Sequence, residues 1–120
     1  MRGPTEFHHQ RLSSVEDLLI ADPHELQLGV EKADGRRCRS GDPEQFFLPD
    51  GTRFLRREEL DAERARVDGL CRGCPVRREC LAAALVRDEV YGSWGGIAQP
   101  DYQIIRRLRR EQLAAERDAA

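Results

Sequence analysis

The chain has 120 residues, of which 39% are hydrophobic and 35% charged, and 20 basic against 22 acidic side chains leave a formal net charge of −2. Only 27 residues are Leu, Ile, Val or Phe, which is barely enough apolar surface for a folded core, so a small domain of this kind calls for a metal or disulfides to hold it. No apolar run approaches the ~20 residues of a membrane span, MRGPTEFHHQ lacks the apolar stretch of a secretory leader, and the balanced charge argues against a protein that coats nucleic acid non-specifically. The expected location is cytoplasmic, with no membrane partner.

Residues 1–35 are polar and read as a variable, partly disordered and irregular arm. Ser13 to Asp17 has capping-box spacing ahead of Leu18, Leu19 and Ile20, which allows one short helix. His8 and His9 read as a solvated pair. After Cys38, Asp42-Pro43 initiates a turn, and the adjacent Phe46 and Phe47 are expected to pack in the core and pin the Cys38 loop.

From Arg56 to Leu70 the chain is charged at helical period, with Glu59 and Glu63 facing outward. Leu60, Val67, Cys71 and Cys74 follow at offsets of seven, four and three, so a helix sets them on one face. Pro75 interrupts that helix and suits the start of the next. Val76 to Val90 reads as a second helix whose inner stripe is Cys80, Leu81, Ala84 and Leu85. In Tyr91-Gly92-Ser93-Trp94-Gly95-Gly96, three glycines around the only tryptophan make a tight turn of positive φ. The indole there either folds back over the core or projects to a partner. Gln99-Pro100-Asp101 opens a last helix, in which Ile104, Ile105 and Leu108 share a side. Residues 104–110 carry four arginines and no acid, a composition suited to phosphate and hence to nucleic acid.

The four cysteines, Cys38, Cys71, Cys74 and Cys80, are spaced C-x32-C-x2-C-x5-C. In a reducing compartment four thiols more often bind metal than form disulfides. All three histidines precede Cys38 and stand away from the Cys71–Cys80 trio, which disfavours a Cys/His finger. A redox CxxC of thioredoxin type needs a preceding strand, and none is visible. Soft thiolates converging where two helices meet, with Cys38 closing the set, favour zinc or an iron–sulfur cluster. On spacing alone these two stand level.

Taken in order, a distant cysteine, Cys71-x2-Cys74-x5-Cys80, the Gly92-Ser93-Trp94-Gly95-Gly96 turn and the basic Arg106–Arg110 segment resemble the WhiB-like (Wbl) proteins of actinobacteria. Asp42-Pro43-Glu44-Gln45-Phe46-Phe47 also resembles the segment after the family's first cysteine, and the resemblance spans about residues 36–110. It implies an all-α domain, small and organised around one [4Fe–4S] cluster with Cys38, Cys71, Cys74 and Cys80 as ligands. It implies a transcription factor responsive to oxygen or nitric oxide, not an enzyme, monomeric when loaded, whose freed thiols can pair as disulfides. The implied partners are the C-terminal domain of the primary sigma factor, met by Trp94 with Gly92, Gly95 and Gly96, and promoter DNA, met by Arg106, Arg107, Arg109 and Arg110. The expected division is a 1–35 arm, a 36–98 cluster-binding domain and a 99–120 basic helix and tail.

Ser93 stands where the family usually has a β-branched apolar residue, the gap after Cys38 is long, and no Arg-Gly-Arg-Pro hook for the minor groove is present. Readings from other classes are a CxxC thiol–disulfide oxidoreductase in the apo form and a structural four-cysteine zinc module that binds protein.

Overall fold

The computed structural model describes residues 3–36, 38, 42–49, 51–54 and 56–119. Among them the fold is all-α: α1 Glu6–Ser13, α2 Glu16–Leu19, α3 Pro23–Lys32, a 3-10 turn Pro43–Phe46, α4 Arg57–Leu70, α5 Arg77–Arg87 and α6 Gln99–Ala119.

Helix α5 is the axis of the core. Leu81, Ala82, Ala83, Ala84 and Leu85 are all buried, so its middle is enclosed on every side, and the three alanines let neighbours approach closely. Helices α2 and α3 pack against it. Tyr102 of α6, fully buried, plugs its end: the phenol donates to the Glu89 carbonyl at 2.7 Å and reaches that of Ala84 at 3.3 Å. Asp88 ends α5 in the left-handed conformation (φ 57°), which aspartate tolerates better than most side chains.

The first 35 residues correct the expected irregular arm. Their described part folds into α1–α3 and packs on the rest, with α1 against α6 and α3 against α5. Leu12, Val15, Leu19, Leu26 and Val30 are buried in the same core as α5, so this segment supplies apolar surface that the remainder of so polar a chain lacks. Helix α3 starts on Asp22, whose carboxylate accepts from the amides of His24 (2.9 Å) and Glu25 (3.0 Å), with Pro23 at its first position. The capping box at Ser13–Asp17 does not form: α2 begins after Val15 without a side-chain cap, and the Ser14 hydroxyl donates to the Arg11 carbonyl instead.

The histidine pair is corrected as well. His8 is 2% exposed, and its Nε2 lies 2.8 Å from Asp101 Oδ1. Its Nδ1 accepts the Thr5 amide at 2.9 Å, so Nε2 carries the proton and donates to the carboxylate. Arg64 grips the same carboxylate through Nε and Nη2, both at 2.8 Å. One buried carboxylate therefore joins α1, α4 and α6. Burial alone would raise the Asp101 pKa, but the hydrogen bonds from Arg64 and His8 outweigh it and hold the carboxyl below its usual range. Glu63 does not face outward: it falls at the register of Leu60 and Val67, is buried with them, and is neutralised by a two-pronged pairing with Arg66 (2.7 and 2.8 Å).

Candidate metal centre

Helix α4 runs out at Leu70, and Cys71 sits at its cap, its amide donating to the Val67 carbonyl at 3.2 Å. Gly73, at φ +76°, turns the chain back, and the Cys74 amide closes the turn on the Cys71 carbonyl at 3.0 Å. Pro75 separates the two helices, and Cys80 lies in the first turns of α5, its amide bonded to the Val76 carbonyl. Cys38 is exposed and precedes the 3-10 turn in the chain. All four cysteines line one cavity of about 310 Å³, together with Val30, Arg36, Phe46, Phe47, Trp94 and Gly95 among others. Among the described residues no three His, Cys, Asp or Glu side chains converge tightly enough to hold a single metal ion.

The glycine turn roofs this cavity. Trp94 and Ile97 exchange backbone hydrogen bonds (3.1 and 3.0 Å), and Gly95 and Gly96 between them sit at φ +61° and +79°, the signature of a type I′ turn. The Gly96 amide favours the thiolate form of Cys71 and the Gly95 amide that of Cys80. Burial pushes the Cys80 thiol up to about 11, and Cys71 in the same direction, against the opposing pull of those amides. Negative charge on these sulfurs thus needs a cation beside them, and metal binding would release their protons.

Arg77 braces the turn from below. Its Nη2 pairs with Asp68 at 2.7 Å, its Nε approaches the Gly95 carbonyl at 3.4 Å, and a Cβ on Gly96 would collide with its guanidinium. The hydrogen bond from Arg77 holds the Asp68 carboxyl below its usual range.

Trp94 folds back over the core while keeping part of its ring at the surface. The indole Nε1 donates to the Tyr91 carbonyl at 2.9 Å, and the ring lies edge-on to Phe47 (6.1 Å between centroids), tilted against Tyr102 (6.4 Å) and under the Arg87 guanidinium (5.4 Å). It stays partly exposed, beside Tyr91 at 61% and Phe47 at 46%. Phe47 is accordingly not the core residue expected of it, because it packs on an indole that is itself at the surface.

The arginines of α6 do not share one face. Arg106, Arg109 and Arg110 border a groove with Leu113 and Arg117, whereas Arg107 borders a separate cleft with Arg57 and Arg64. Arg106 is already paired with Asp88 at 2.8 and 3.2 Å.

Gln99, not singled out from sequence as a site residue, and Ser93, noted there only as a departure, hold the turn in place. The Gln99 side-chain oxygen accepts the amides of Leu48 (3.2 Å) and Gly92 (3.0 Å), which ties the aromatic segment to the turn. Ser93, 3% exposed, accepts the Gln99 amide on its hydroxyl at 2.9 Å, and its own amide donates to the Phe46 carbonyl at 2.6 Å. The departure from an apolar residue at 93 therefore has a use, since the hydroxyl satisfies the first amide of α6.

These features define a helical module in which four cysteines from separated stretches meet beneath a glycine–tryptophan turn. The family model "Transcription factor WhiB" matches residues 33–105, and the chain belongs to that family. It is 37% identical over 75 residues to the redox-responsive transcriptional regulator WhiB3 of Mycolicibacterium smegmatis, covering 61% of this chain and 75% of the relative. It is 37% identical over 78 residues to the transcriptional regulator WhiD of Streptomyces coelicolor, covering 65% and 67%. Against the transcriptional regulator WhiB7 of Mycolicibacterium smegmatis the identity is 40% over 72 residues, 60% of each chain.

Proposed function

We propose that this chain is a redox- or nitric-oxide-responsive transcriptional regulator whose Cys38, Cys71, Cys74 and Cys80 hold one [4Fe–4S] cluster, acting through the C-terminal domain of the primary sigma factor and promoter DNA. The observation that carries this reading is the convergence of all four thiols on one cavity under the Gly92–Gly96 turn. A lone zinc draws four sulfurs to about 2.3 Å of a single atom; thiols spread around a wider cavity suit a polynuclear group better. The donor set fits as well, being all sulfur, with the Gly95 and Gly96 amides directed at two of the four atoms. When bound, the cluster supplies a centre open to attack by oxygen or nitric oxide.

The chain's own residues couple that centre to a surface. Gly95 and Trp94, adjacent in the turn, both line the cysteine cavity, and the Trp94 ring stays partly exposed. Any change in how Cys71 and Cys80 are held is therefore passed to the indole through one rigid turn. Trp94 is the proposed sigma-factor anchor, with Gly92, Gly95 and Gly96 shaping its approach, and Arg106, Arg107, Arg109 and Arg110 are the proposed contacts to DNA phosphates. The regulator acts in the cytoplasm as a monomer when loaded, without catalytic turnover; among the described residues no helix is long and apolar enough to cross a membrane.

The test is iron and sulfide analysis with an absorption spectrum on protein purified without oxygen. Four irons and four sulfides per chain, with visible absorption bleached by air or nitric oxide, are expected. One zinc and no sulfide would make the chain a structural module and end the sensor reading. In the loaded protein, Trp94→Ala should weaken binding to the sigma-factor domain by roughly thirtyfold, the loss typical of a buried aromatic anchor, with the spectrum intact. Undiminished binding would confine Trp94 to a packing role.

A further inference from the structure

Among the described residues three arginines, Arg36, Arg77 and Arg87, line the cysteine cavity, and no Asp or Glu does. Two of them are committed elsewhere: Arg77 is paired with Asp68, and Arg87 lies over the Trp94 ring and pairs with Glu89. Arg36 is different. Its Nη1 donates to the Val30 carbonyl at the end of α3 at 3.1 Å, and among the described residues no acidic side chain pairs with it. Its Nε is buried and has no hydrogen-bond partner among the described residues.

A guanidinium cannot shed its proton to escape this situation, and a buried donor without an acceptor is costly enough that such groups are rare. An orphaned cationic N–H on a residue that lines the same cavity as four thiols is explained if the acceptor is the group those thiols hold. Four thiolates around an iron–sulfur core leave it net anionic, and the cavity wall offers the matching charge.

We propose that Arg36 is a hydrogen-bonding and charge partner of the cysteine-bound group and raises its reduction potential. The inference rests on the cluster reading above. Reduction adds negative charge to the group, and a fixed cation donating to it favours the reduced form. Arg36 does not ligate metal; it is a positioning and tuning residue, held in place by Val30 of the N-terminal segment. Docking of α3 thereby becomes part of what sets the potential.

The experiment compares the full chain, loaded without oxygen, with Arg36→Met, which keeps an apolar stem and removes charge and donors. The midpoint potential is read by spectroelectrochemical titration, with iron and sulfide content measured alongside. At the wild-type midpoint the reduced-to-oxidised ratio should fall about tenfold, equivalent to about 59 mV for one electron. An unchanged midpoint in a fully loaded variant overturns the proposal and leaves the cluster reading standing. If Arg36→Met does not load, Arg36→Lys decides: it keeps the charge but not the Nε donor, so a smaller downward shift supports the role and none overturns it. Zinc without sulfide in the wild-type protein overturns the cluster reading and this inference together.

Discussion

Gly95→Ala is expected to disrupt the cysteine site with a single methyl group. Gly95 sits at φ +61°, and a Cβ there would lie in collision with the Arg77 carbonyl oxygen and 3.1 Å from both the backbone nitrogen and the Cβ of Leu81. The obstructing atoms are backbone at the start of α5, not the end of a flexible side chain, so the turn must move. Moving it withdraws the Gly95 amide from Cys80 and shifts the indole next to it. A left-handed non-glycine residue costs about 1–2 kcal/mol and forced overpacking about 1–3 more, so a loss of about 2–5 kcal/mol is expected in a denaturant titration. Gly73→Ala is the control. Gly73 also has a positive φ, +76°, but a Cβ there meets nothing within 4 Å, so only about 1 kcal/mol should go. Equal losses in the two variants would show that the close approach to Arg77 does not matter.

That contrast says what the turn does. A Cβ on Gly92 would lie 2.8 Å from the Phe47 ring and 3.1 Å from Trp94 Nε1, one on Gly95 would meet the α5 backbone, and one on Gly96 the Arg77 guanidinium. Each glycine leaves room for a different neighbour. Together they let one short turn touch the aromatic segment, the first turn of α5 and the cysteine cavity.

Much of this was legible in the sequence because it depends on local spacing. Offsets of seven, four and three from Leu60 to Cys74, with Pro75 between two periodic stretches, are enough to seat Cys71, Cys74 and Cys80 at a helix junction, and α4 and α5 form there. Three glycines around a tryptophan likewise specify a turn of positive φ. The N-terminal helices also carry local signals, though weaker ones. Asp22-Pro23-His24-Glu25 starts α3 in the same way that Asp42-Pro43-Glu44 starts the 3-10 turn, and Leu12, Val15, Leu19, Leu26 and Val30 recur at helical intervals. The polar residues between them obscured a stripe that becomes a core face only when α5 and α6 lie against it. Other features have no local signature. His8 and Asp101 are 93 positions apart, the Ser93 hydroxyl finds its donor only after the chain has turned, and the orphaned Arg36 Nε is visible only once burial is known. The arginines of α6 look like one cluster in sequence, but Arg107 follows the α4 side and Arg106, Arg109 and Arg110 the α5 side.

The buried carboxylate is the second place where one substitution should have a large effect. Asp101 is 1% exposed and holds two partners, His8 at 2% and Arg64. Asp101→Ala leaves a buried imidazole N–H and a guanidinium without their acceptor. Breaking such a pair typically costs about 3–5 kcal/mol, and because the Arg64 side chain is 29% exposed and can turn to water or to Asp61, about 3 kcal/mol is expected. The loss should be greatest at the docking of α1, read as faster amide exchange in residues 6–13. The control is Asp61→Ala, whose exposed pairings with Arg57 and Arg64 should be worth under about 1 kcal/mol. The same group gives the stability a pH dependence of defined sign. Because the folded Asp101 pKa lies below its unfolded value, its contribution is complete above about pH 4, where the unfolded carboxyl is already ionised, and is lost as pH falls through the lower folded value. Titrated from pH 6 to pH 2, the wild-type protein should lose its advantage over Asp101→Asn progressively below about pH 4. A gap between the two that stays constant over that range would show that the carboxylate's charge is not what binds α1 to α4 and α6.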